Sequence, residues 1–239
     1  MDDRMVALQK IADNTLYGAG ASGASVAYSF KIFSRYLIEG NILELGPAEG
    51  LMTEELARTG MPLTLVDGAE SFCNDLKRRF PQATVHHSLF EDFETDERFM
   101  NVILGHVLEH VDDPVNVLRH AKRFMAEGGQ MLCAVPNARS IHRQAGVLMG
   151  HLGYEEDMSP LDFHHGHKRV YTPETFRRDF HEAGLEIEVF GGYFLKPLSN
   201  GQIEKDWTPQ MVEAFMKLGE RYPDIAAEIF VVACHPSYG

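Results

Sequence analysis

The sequence predicts an α/β fold in which a mostly parallel, seven-stranded sheet carries helices on both faces. Strand patterns alternate with helical patterns from about residue 40 to residue 190, and parallel strands need such crossover helices between them. A long segment separates the last two predicted strands, which allows the final strand to run antiparallel. The chain of 239 residues suits one such domain with a modest additional segment.

The first half of the predicted sheet consists of short apolar segments, each followed by a helix or a turn. The first four strands are expected at these positions: 41–45, 62–66, 84–87 and 101–105. Helices are predicted near 51–58 and 69–79, and the second of them ends before Pro81. Asp113 and Pro114 supply an N-cap and a first-turn proline for a helix that runs to about Glu127.

The second half of the sheet is predicted from longer segments with clear helix signals between them. Strands five, six and seven are expected at these positions: 130–135, 186–190 and 228–234. Thr172 and Pro173 open a capped helix that Gly184 closes. A further helix is predicted from Pro209 to about Tyr222, within the segment before the last strand.

Two segments lie outside this alternating pattern. Residues 1–38 are predicted to form an N-terminal helical cap over the site, and residues 39–239 form the main domain. The cap is expected to contain a helix, a small-residue stretch from Gly18 to Ser25 and a second helix near 27–37. The insertion at about 137–170 is predicted to be a substrate lid, because it has apolar residues at helix-like spacing: Ile141, Val147, Leu148 and Met149.

The composition excludes several classes of partner. With 22 basic and 35 acidic residues, the net charge of −13 opposes binding to nucleic acid or to an anionic membrane. The sequence has no apolar run able to span a bilayer, and Met1–Lys10 lacks the order of a secretory signal, so we expect a cytoplasmic protein. The three cysteines have no CxxC spacing, which predicts free thiols rather than disulfides or a zinc site.

A glycine-containing loop after the first strand is the main functional signal. In the segment Glu44–Gly50, glycines allow the backbone to approach a ligand that side chains would otherwise exclude. Seventeen residues after Gly50, Asp67 ends the second strand, where a carboxylate can accept hydrogen bonds from both hydroxyls of a ribose. Ala48 and Leu51 break the dinucleotide-binding pattern of glycines, so the sequence favours a nucleoside over a pyrophosphate ligand.

Together these residues resemble the first two motifs of class I S-adenosylmethionine-dependent methyltransferases. The segment Val102–Val111, which contains Leu-Glu-His, resembles that family's fourth-strand motif, and the resemblance spans roughly residues 40 to 190. It implies a Rossmann-like fold, S-adenosylmethionine as the cofactor and S-adenosylhomocysteine as the product.

The same resemblance implies roles for individual residues. The backbone around Gly46 and His106 would hold the methionyl part, Asp67 the ribose, and Leu89 with Phe90 the adenine, while Glu44 would orient the loop. The full expected cofactor-binding set is Glu44, Gly46, Ala48, Gly50, Asp67, Gly68, Leu89, Phe90 and His106. Ala48 departs from the usual middle glycine, and Leu89 stands where many relatives have an aspartate. Replacing Asp67 by alanine is expected to weaken cofactor binding and to leave the fold intact.

Methyl transfer needs alignment and desolvation, and sometimes a base that removes a proton from the acceptor. The histidines expected near the transfer centre are His106, His110, His164, His165 and His167. We expect His110 or His165 to act as a base, although the chemistry does not always require one. Asp112 and Asp113 beside His110 resemble metal ligands, but Asp113 is explained as a helix cap, so no metal is expected.

The expected reaction is transfer of a methyl group to nitrogen or oxygen of a small-molecule acceptor, a metabolite or natural product. A sugar or lipid-linked acceptor remains an alternative, as do a nicotinamide oxidoreductase and a noncatalytic nucleoside-binding module. The basic run His164–Arg169 is compatible with binding a carboxylate or phosphate of the substrate. The sequence leaves open whether the protein is a monomer or a homodimer, and which aromatic side chains wall the substrate: Tyr17, Tyr28, Tyr154, Tyr171, Tyr193 or Trp207.

Overall fold

Seven strands form a single sheet in the computed structural model, which describes residues 3–14 and 20–236. The strands are β1 (Ile42–Leu45), β2 (Leu63–Asp67), β3 (Thr84–His87), β4 (Phe99–Gly105), β5 (Met125–Pro136), β6 (Glu186–Tyr193) and β7 (Glu228–Cys234). Their order is β3-β2-β1-β4-β5-β7-β6. Of these seven strands, only β7 runs antiparallel to the rest, and it pairs with both β5 and β6. This confirms the predicted mostly parallel sheet with an antiparallel last strand.

Helices cover both faces of the sheet, as predicted. Within the described residues they are α1 (Asp3–Asn14), α2 (Gly20–Phe33), α3 (Leu51–Ala57), α4 (Glu70–Arg79), α5 (Pro114–Lys122), α6 (Ile141–Leu148), α7 (Pro160–His164), α8 (Pro173–Glu182), α9 (Asn200–Asp206) and α10 (Pro209–Gly219). Leu43 of β1 belongs to the hydrophobic cluster that contains α5 and α8 residues. Its neighbour Ile42 belongs to the opposite cluster, which contains residues of α2, α3 and α10. Successive strand residues therefore fill two cores, one on each face.

The strand order reverses between β1 and β4, which lie side by side and parallel. In open α/β sheets, ligands bind beyond the carboxyl ends of the strands at such a reversal. The loops after β1, β2, β4 and β5 all leave the sheet at this edge, because those four strands are mutually parallel. The topology therefore brings the motifs of the sequence analysis to one place.

Two predicted helix boundaries were wrong. The helix opened by Asp113 ends at Lys122 instead of about Glu127, because Met125 already pairs with Phe99 at the start of β5. Met125 is buried there, and its pairing in the sheet overrides the local helical pattern. In addition, α10 ends at Gly219, earlier than the predicted Tyr222.

The N-terminal segment also differs from the prediction. The second helix spans Gly20–Phe33 rather than 27–37, so most of the small-residue stretch is helical; residues 18 and 19 lie outside the described residues. Small side chains suit this helix because α2 packs closely against α3 and α9. The short helix α9 was not predicted.

Two predictions based on composition can be compared with the structure. The cysteines Cys73, Cys133 and Cys234 are free, which confirms the prediction of thiols without disulfides. Among the described helices, none combines the length and apolar character needed to cross a bilayer.

Candidate functional site

A cavity of about 1060 Å³ lies at the carboxyl ends of the strands. Its walls come from the loops after β1, β2, β4 and β5, from α1 and α2, and from the insertion that carries α6 and α7. Sites for small molecules usually have volumes of about 300–1,000 Å³, so this cavity has room for a nucleoside cofactor and a second small molecule.

The glycine loop after β1 contains three residues with positive φ. Gly46 and Gly50 have φ values of 74° and 75°, in the left-handed region that favours glycine. A Cβ atom on Gly46 would lie 2.7 Å from Cγ2 of Val107, so this position excludes a side chain. Ala48 also has a positive φ, of 48°, although it carries a side chain. The loop therefore exposes main-chain groups to the cavity.

Asp67 holds the backbone of this loop while it lines the cavity. Its Oδ2 accepts a hydrogen bond from the Ala48 N–H at 3.1 Å, and its Oδ1 accepts one from the Ala69 N–H at 2.8 Å. Burial raises the pKa of the Asp67 carboxyl, and the Ala69 and Ala48 N–H groups oppose that rise. A carboxylate offers about four lone pairs, so Asp67 keeps acceptor capacity for hydroxyl groups.

Glu44, at the third position of β1, is almost fully buried beneath the loop. The Thr53 hydroxyl donates to its Oε2 at 2.6 Å, which ties β1 to α3. Burial raises the pKa of Glu44 to about 7. The side chain therefore links β1 to the helix that follows the glycine loop.

The residues expected at the adenine also line the cavity. Leu89 and Phe90 both line it, at the start of a 3₁₀ turn. The Phe90 ring reaches the glycine loop, because its Cζ lies 3.3 Å from the position of a Cβ on Gly46. Leu8 of α1 covers Gly68, where an added Cβ would lie 2.5 Å from Leu8 Cδ1. Leu8, Leu89 and Phe90 therefore give this part of the cavity an apolar lining.

His106 occupies a strained position after β4, with a φ of 59°. Its Nε2 lies 3.1 Å from the Ser29 hydroxyl and 3.2 Å from the Tyr193 hydroxyl. Its Nδ1 lies 3.7 Å from Oε1 of Glu109 and 3.9 Å from Oε2 of Glu228. Burial acts to lower the pKa of His106, but the Glu109 hydrogen bond and the Glu228 charge outweigh it and raise the pKa. Four side chains thus hold this histidine in place.

His110 lies next to the lid. Its ring hydrogen-bonds to the Gly166 backbone, and its centroid lies 4.8 Å from that of His167. Burial lowers the pKa of His110 to about 4, so the ring is neutral at physiological pH. His165 also lines the cavity, with its ring centroid 6.0 Å from His167. His164 is exposed and stacks edge-on against His165.

A group of potential metal ligands lies at the same place. One ligand atom from each of Glu109, His110 and His167 falls within 4.8 Å of the others. This set differs from the His110, Asp112 and Asp113 considered from the sequence. Asp113 caps α5 by accepting from the Asn116 N–H at 2.9 Å, and Asp112 pairs with a lysine of the lid.

Two cations of the lid's basic run, Lys168 and Arg169, are bound to the loop after β4. Arg169 donates to the carbonyl oxygens of Leu108 and Asp112 at 2.8 and 2.9 Å, and also to that of Val111. Lys168 Nζ lies 2.5 Å from Asp112 Oδ1. These two cations therefore attach the lid to the loop after β4, while His165, His167 and Lys168 also line the cavity.

The aromatic residues considered as substrate walls do not line the cavity where the structure describes them. Tyr17 lies outside the described residues, and none of the other five lines the cavity. Several cavity residues carried no recognisable signal in the sequence, because distant elements bring them together: Ser25, His142, Asp162, Lys196 and Glu228.

Comparison with known proteins supports the methyltransferase family that the sequence motifs resemble. A family model described as a methyltransferase domain matches residues 25–188. A curated relative from Maricaulis maris, named ubiquinone biosynthesis O-methyltransferase, is 30% identical over 174 residues. The match covers 66% of this chain and 64% of the relative, so the chain spans less than two thirds of that protein.

Solved structures share the fold at low sequence identity. The N-methyltransferase NodS from Bradyrhizobium japonicum has a TM-score of 0.61 at 14% identity, with 99% of this chain and 100% of NodS covered. The CcbJ methyltransferase from Streptomyces caelestis has a TM-score of 0.62 at 14% identity, with 88% and 95% covered. Since the family model matches most of the chain, this protein belongs to the methyltransferase domain family, the class I S-adenosylmethionine-dependent methyltransferases that its motifs resemble.

Proposed function

We propose that this protein transfers a methyl group from S-adenosylmethionine to an oxygen or nitrogen atom of a small-molecule acceptor. The observation that carries the proposal is the single cavity in which the glycine loop, Asp67 and the His110 region meet. When bound, S-adenosylmethionine supplies an electrophilic methyl group. The protein supplies binding, alignment, exclusion of water and, where the acceptor needs it, a base.

The residues of one half of the cavity fit the cofactor. Asp67 would accept from the ribose hydroxyls, Leu89 and Phe90 would contact the adenine, and main-chain groups near Gly46 and His106 would hold the methionyl part. Glu44, Ala48, Gly50 and Gly68 complete this set by shaping the loops. Two observations support this set. Gly46, Ala48 and Gly50 have positive φ values, and a side chain at Gly46 would collide with Val107.

The other half of the cavity would hold the acceptor, under the lid of residues 137–170. His110 is our first candidate for the base, because it is neutral and its ring is oriented by the Gly166 backbone. His165 is the second, since it lines the same region from the lid. Residues 1–38 would form the cap, in which α1 lies over Gly68. The Maricaulis relative is named an O-methyltransferase and NodS an N-methyltransferase, and both names are compatible with this chemistry.

Isothermal titration with S-adenosylhomocysteine, run beside NADH, tests the proposal before an acceptor is known. We expect micromolar binding of S-adenosylhomocysteine and no binding of NADH. Binding of NADH alone would overturn the assignment and favour an oxidoreductase. Binding of S-adenosylhomocysteine without methylation of any acceptor in a broad screen would favour a noncatalytic nucleoside-binding module.

A further inference from the structure

Lys196, in the acceptor half of the cavity, has no close carboxylate partner among the described residues. Among the described residues, the cavity is lined by these lysine and arginine side chains: Arg4, Arg143, Lys168 and Lys196. The first three each have a carboxylate oxygen within 4.0 Å, those of Asp92, Asp162 and Asp112 respectively. Lys196 has no such carboxylate in the described part of the chain; its hydrogen bond goes to Oδ1 of Asn200 at 2.8 Å.

Lys196 is almost fully buried, with a relative exposure of 9%. It follows β6 after a turn at Phe194, whose φ is 63°. The Phe194 and Leu195 N–H groups donate to carbonyl oxygens of α10 at 3.1 and 2.8 Å. Its partner Asn200 donates in turn to the Ser22 hydroxyl of α2 at 3.1 Å. The ammonium group therefore contacts α9 directly, while its partner Asn200 is tied to α2 and the backbone just before Lys196 is tied to α10.

An ammonium group has three N–H donors, and burial without a counterion is costly. Burial lowers the pKa of Lys196, and the more distant Glu228 carboxylate opposes that effect. Glu228 instead lies beside His106, 3.9 Å from its Nδ1. Lys196 therefore keeps donor capacity beside the cavity that no carboxylate of the described residues satisfies at close range.

His142 provides a second observation in the same cavity. It is the second residue of the lid helix α6, lines the cavity and has a buried Nδ1 without a hydrogen-bond partner among the described residues. Burial, and then the charge of Lys196, lower the pKa of His142, so its ring is neutral. A neutral imidazole can donate one N–H to an anion beside the ammonium group.

We propose that Lys196 and His142 form a subsite for a carboxylate group of the methyl acceptor, so that the acceptor is an organic acid. This assignment rests on the proposed function, since it names one part of the acceptor. A carboxylate matches one ammonium group and one imidazole N–H, and it carries a single charge. A phosphate is disfavoured because it adds charge near the carboxylates of Glu228 and Asp162, which act electrostatically on Lys196.

Three aromatic probes of similar size test the subsite: benzoate, benzamide and phenyl phosphate, titrated by ligand-observed NMR. The titrations are run on the full chain with and without saturating S-adenosylhomocysteine. We expect benzoate to bind about tenfold more tightly than benzamide, since a charge-assisted hydrogen bond contributes about 1.5–3 kcal/mol. Lys196→Met should abolish this preference, and Lys196→Gln should reduce it strongly. The control Lys205→Met, which changes an exposed lysine of α9, should keep it.

The outcomes separate the subsite from the proposed function. Three results would overturn the subsite. Benzoate and benzamide bind equally, neither binds, or the preference for benzoate survives both Lys196 substitutions. Tighter binding of phenyl phosphate than of benzoate overturns the carboxylate assignment. Failure of S-adenosylhomocysteine to bind the native protein overturns the proposed function, whatever benzoate does. An unchanged affinity of the Lys196 variants for S-adenosylhomocysteine shows that these variants are folded.

Discussion

Asp67 faces the cavity and also holds the backbone around it. From the sequence we expected that Asp67→Ala would weaken cofactor binding and leave the fold intact. The structure changes this expectation, because the carboxylate accepts from the Ala48 and Ala69 N–H groups. Loss of a partner for a buried N–H costs about 1–3 kcal/mol, so alanine would destabilise the protein as well. Asparagine is the more informative substitution, since it keeps one acceptor.

We predict that Asp67→Asn weakens binding of S-adenosylhomocysteine by about tenfold or more, because one oxygen that accepts from ribose is replaced by a donor. Calorimetry measures the affinity, and thermal unfolding shows whether the variant is folded. Asp75→Asn, at a half-buried position of α4 that does not line the cavity, is the matched control and should leave the affinity unchanged. An affinity equal to that of the native protein would refute the role of Asp67 at the ribose.

His110 is predicted to act as a neutral base. With an acceptor identified by screening, His110→Gln should lower kcat by about 10²–10⁴-fold and leave S-adenosylhomocysteine affinity within about twofold. Because the pKa of His110 is lowered to about 4, its protonation should not reduce the rate of the native enzyme between pH 5.5 and pH 8. His181→Gln, on the exposed side of α8, is the control. Unchanged rates in both His110→Gln and His165→Gln would remove the histidine-base hypothesis.

The same histidine makes stability depend on pH. In the unfolded chain His110 has a pKa near 6.5, whereas in the folded protein burial lowers it to about 4. The unfolded state therefore binds more protons between these values, and the stability that His110 contributes is lost as pH falls below 6.5. We expect this residue to account for about 2 kcal/mol between pH 7.5 and pH 5. Urea unfolding at both pH values measures the free energy of unfolding. Its change between pH 7.5 and pH 5 should be smaller in His110→Gln than in the native protein, and an equal change would contradict the prediction.

At the scale of elements, the end of the lid is attached to the loop after β4. Arg169 donates to carbonyl oxygens of that loop, and the Lys168 N–H donates to the Glu109 carbonyl at 2.7 Å. This loop carries His110, so the lid positions the candidate base. The sequence showed the basic residues, but their partners are main-chain oxygens 57 to 61 residues away, which no local pattern encodes.

We predict that Arg169→Met lowers kcat or raises the KM for the acceptor by about tenfold, because two or more hydrogen bonds that position the loop are lost. Affinity for S-adenosylhomocysteine should change by no more than about twofold. The control is Arg139→Met, which removes an exposed ion pair with Glu174 at the beginning of the lid. Native kinetics in Arg169→Met would show that the attachment does not position the base.

At the scale of the whole molecule, α1 joins the cofactor half of the cavity to the lid. Leu8 covers Gly68, and an added Cβ on Gly166 of the lid would lie 2.8 Å from Cδ1 of Ile11. The Gln9 side chain also donates to the Ser71 hydroxyl of α4 at 2.8 Å. The N-terminal segment therefore contacts the cofactor half and the lid together, although it is remote from both in sequence.

We predict that Leu8→Ala raises the dissociation rate of S-adenosylhomocysteine several-fold, because part of the cover over Gly68 is removed. Stopped-flow displacement measures the rate. Val6→Ala is the control, since Val6 lies on the same helix and does not line the cavity. Equal dissociation rates in the two variants would contradict a covering role for α1.

The sequence by itself determined the α/β class, six of the seven strands to within about two residues at their first position, the glycine loop and the family. Alternating patterns, glycines and caps are local properties, so a single segment encodes each of them. The early start of β5 could not be predicted, because the pairing of Met125 with Phe99 depends on a neighbouring strand. Lys196, His142 and the partners of His106 became recognisable only in the tertiary structure. Their chemistry arises from burial and from partners that folding alone brings together.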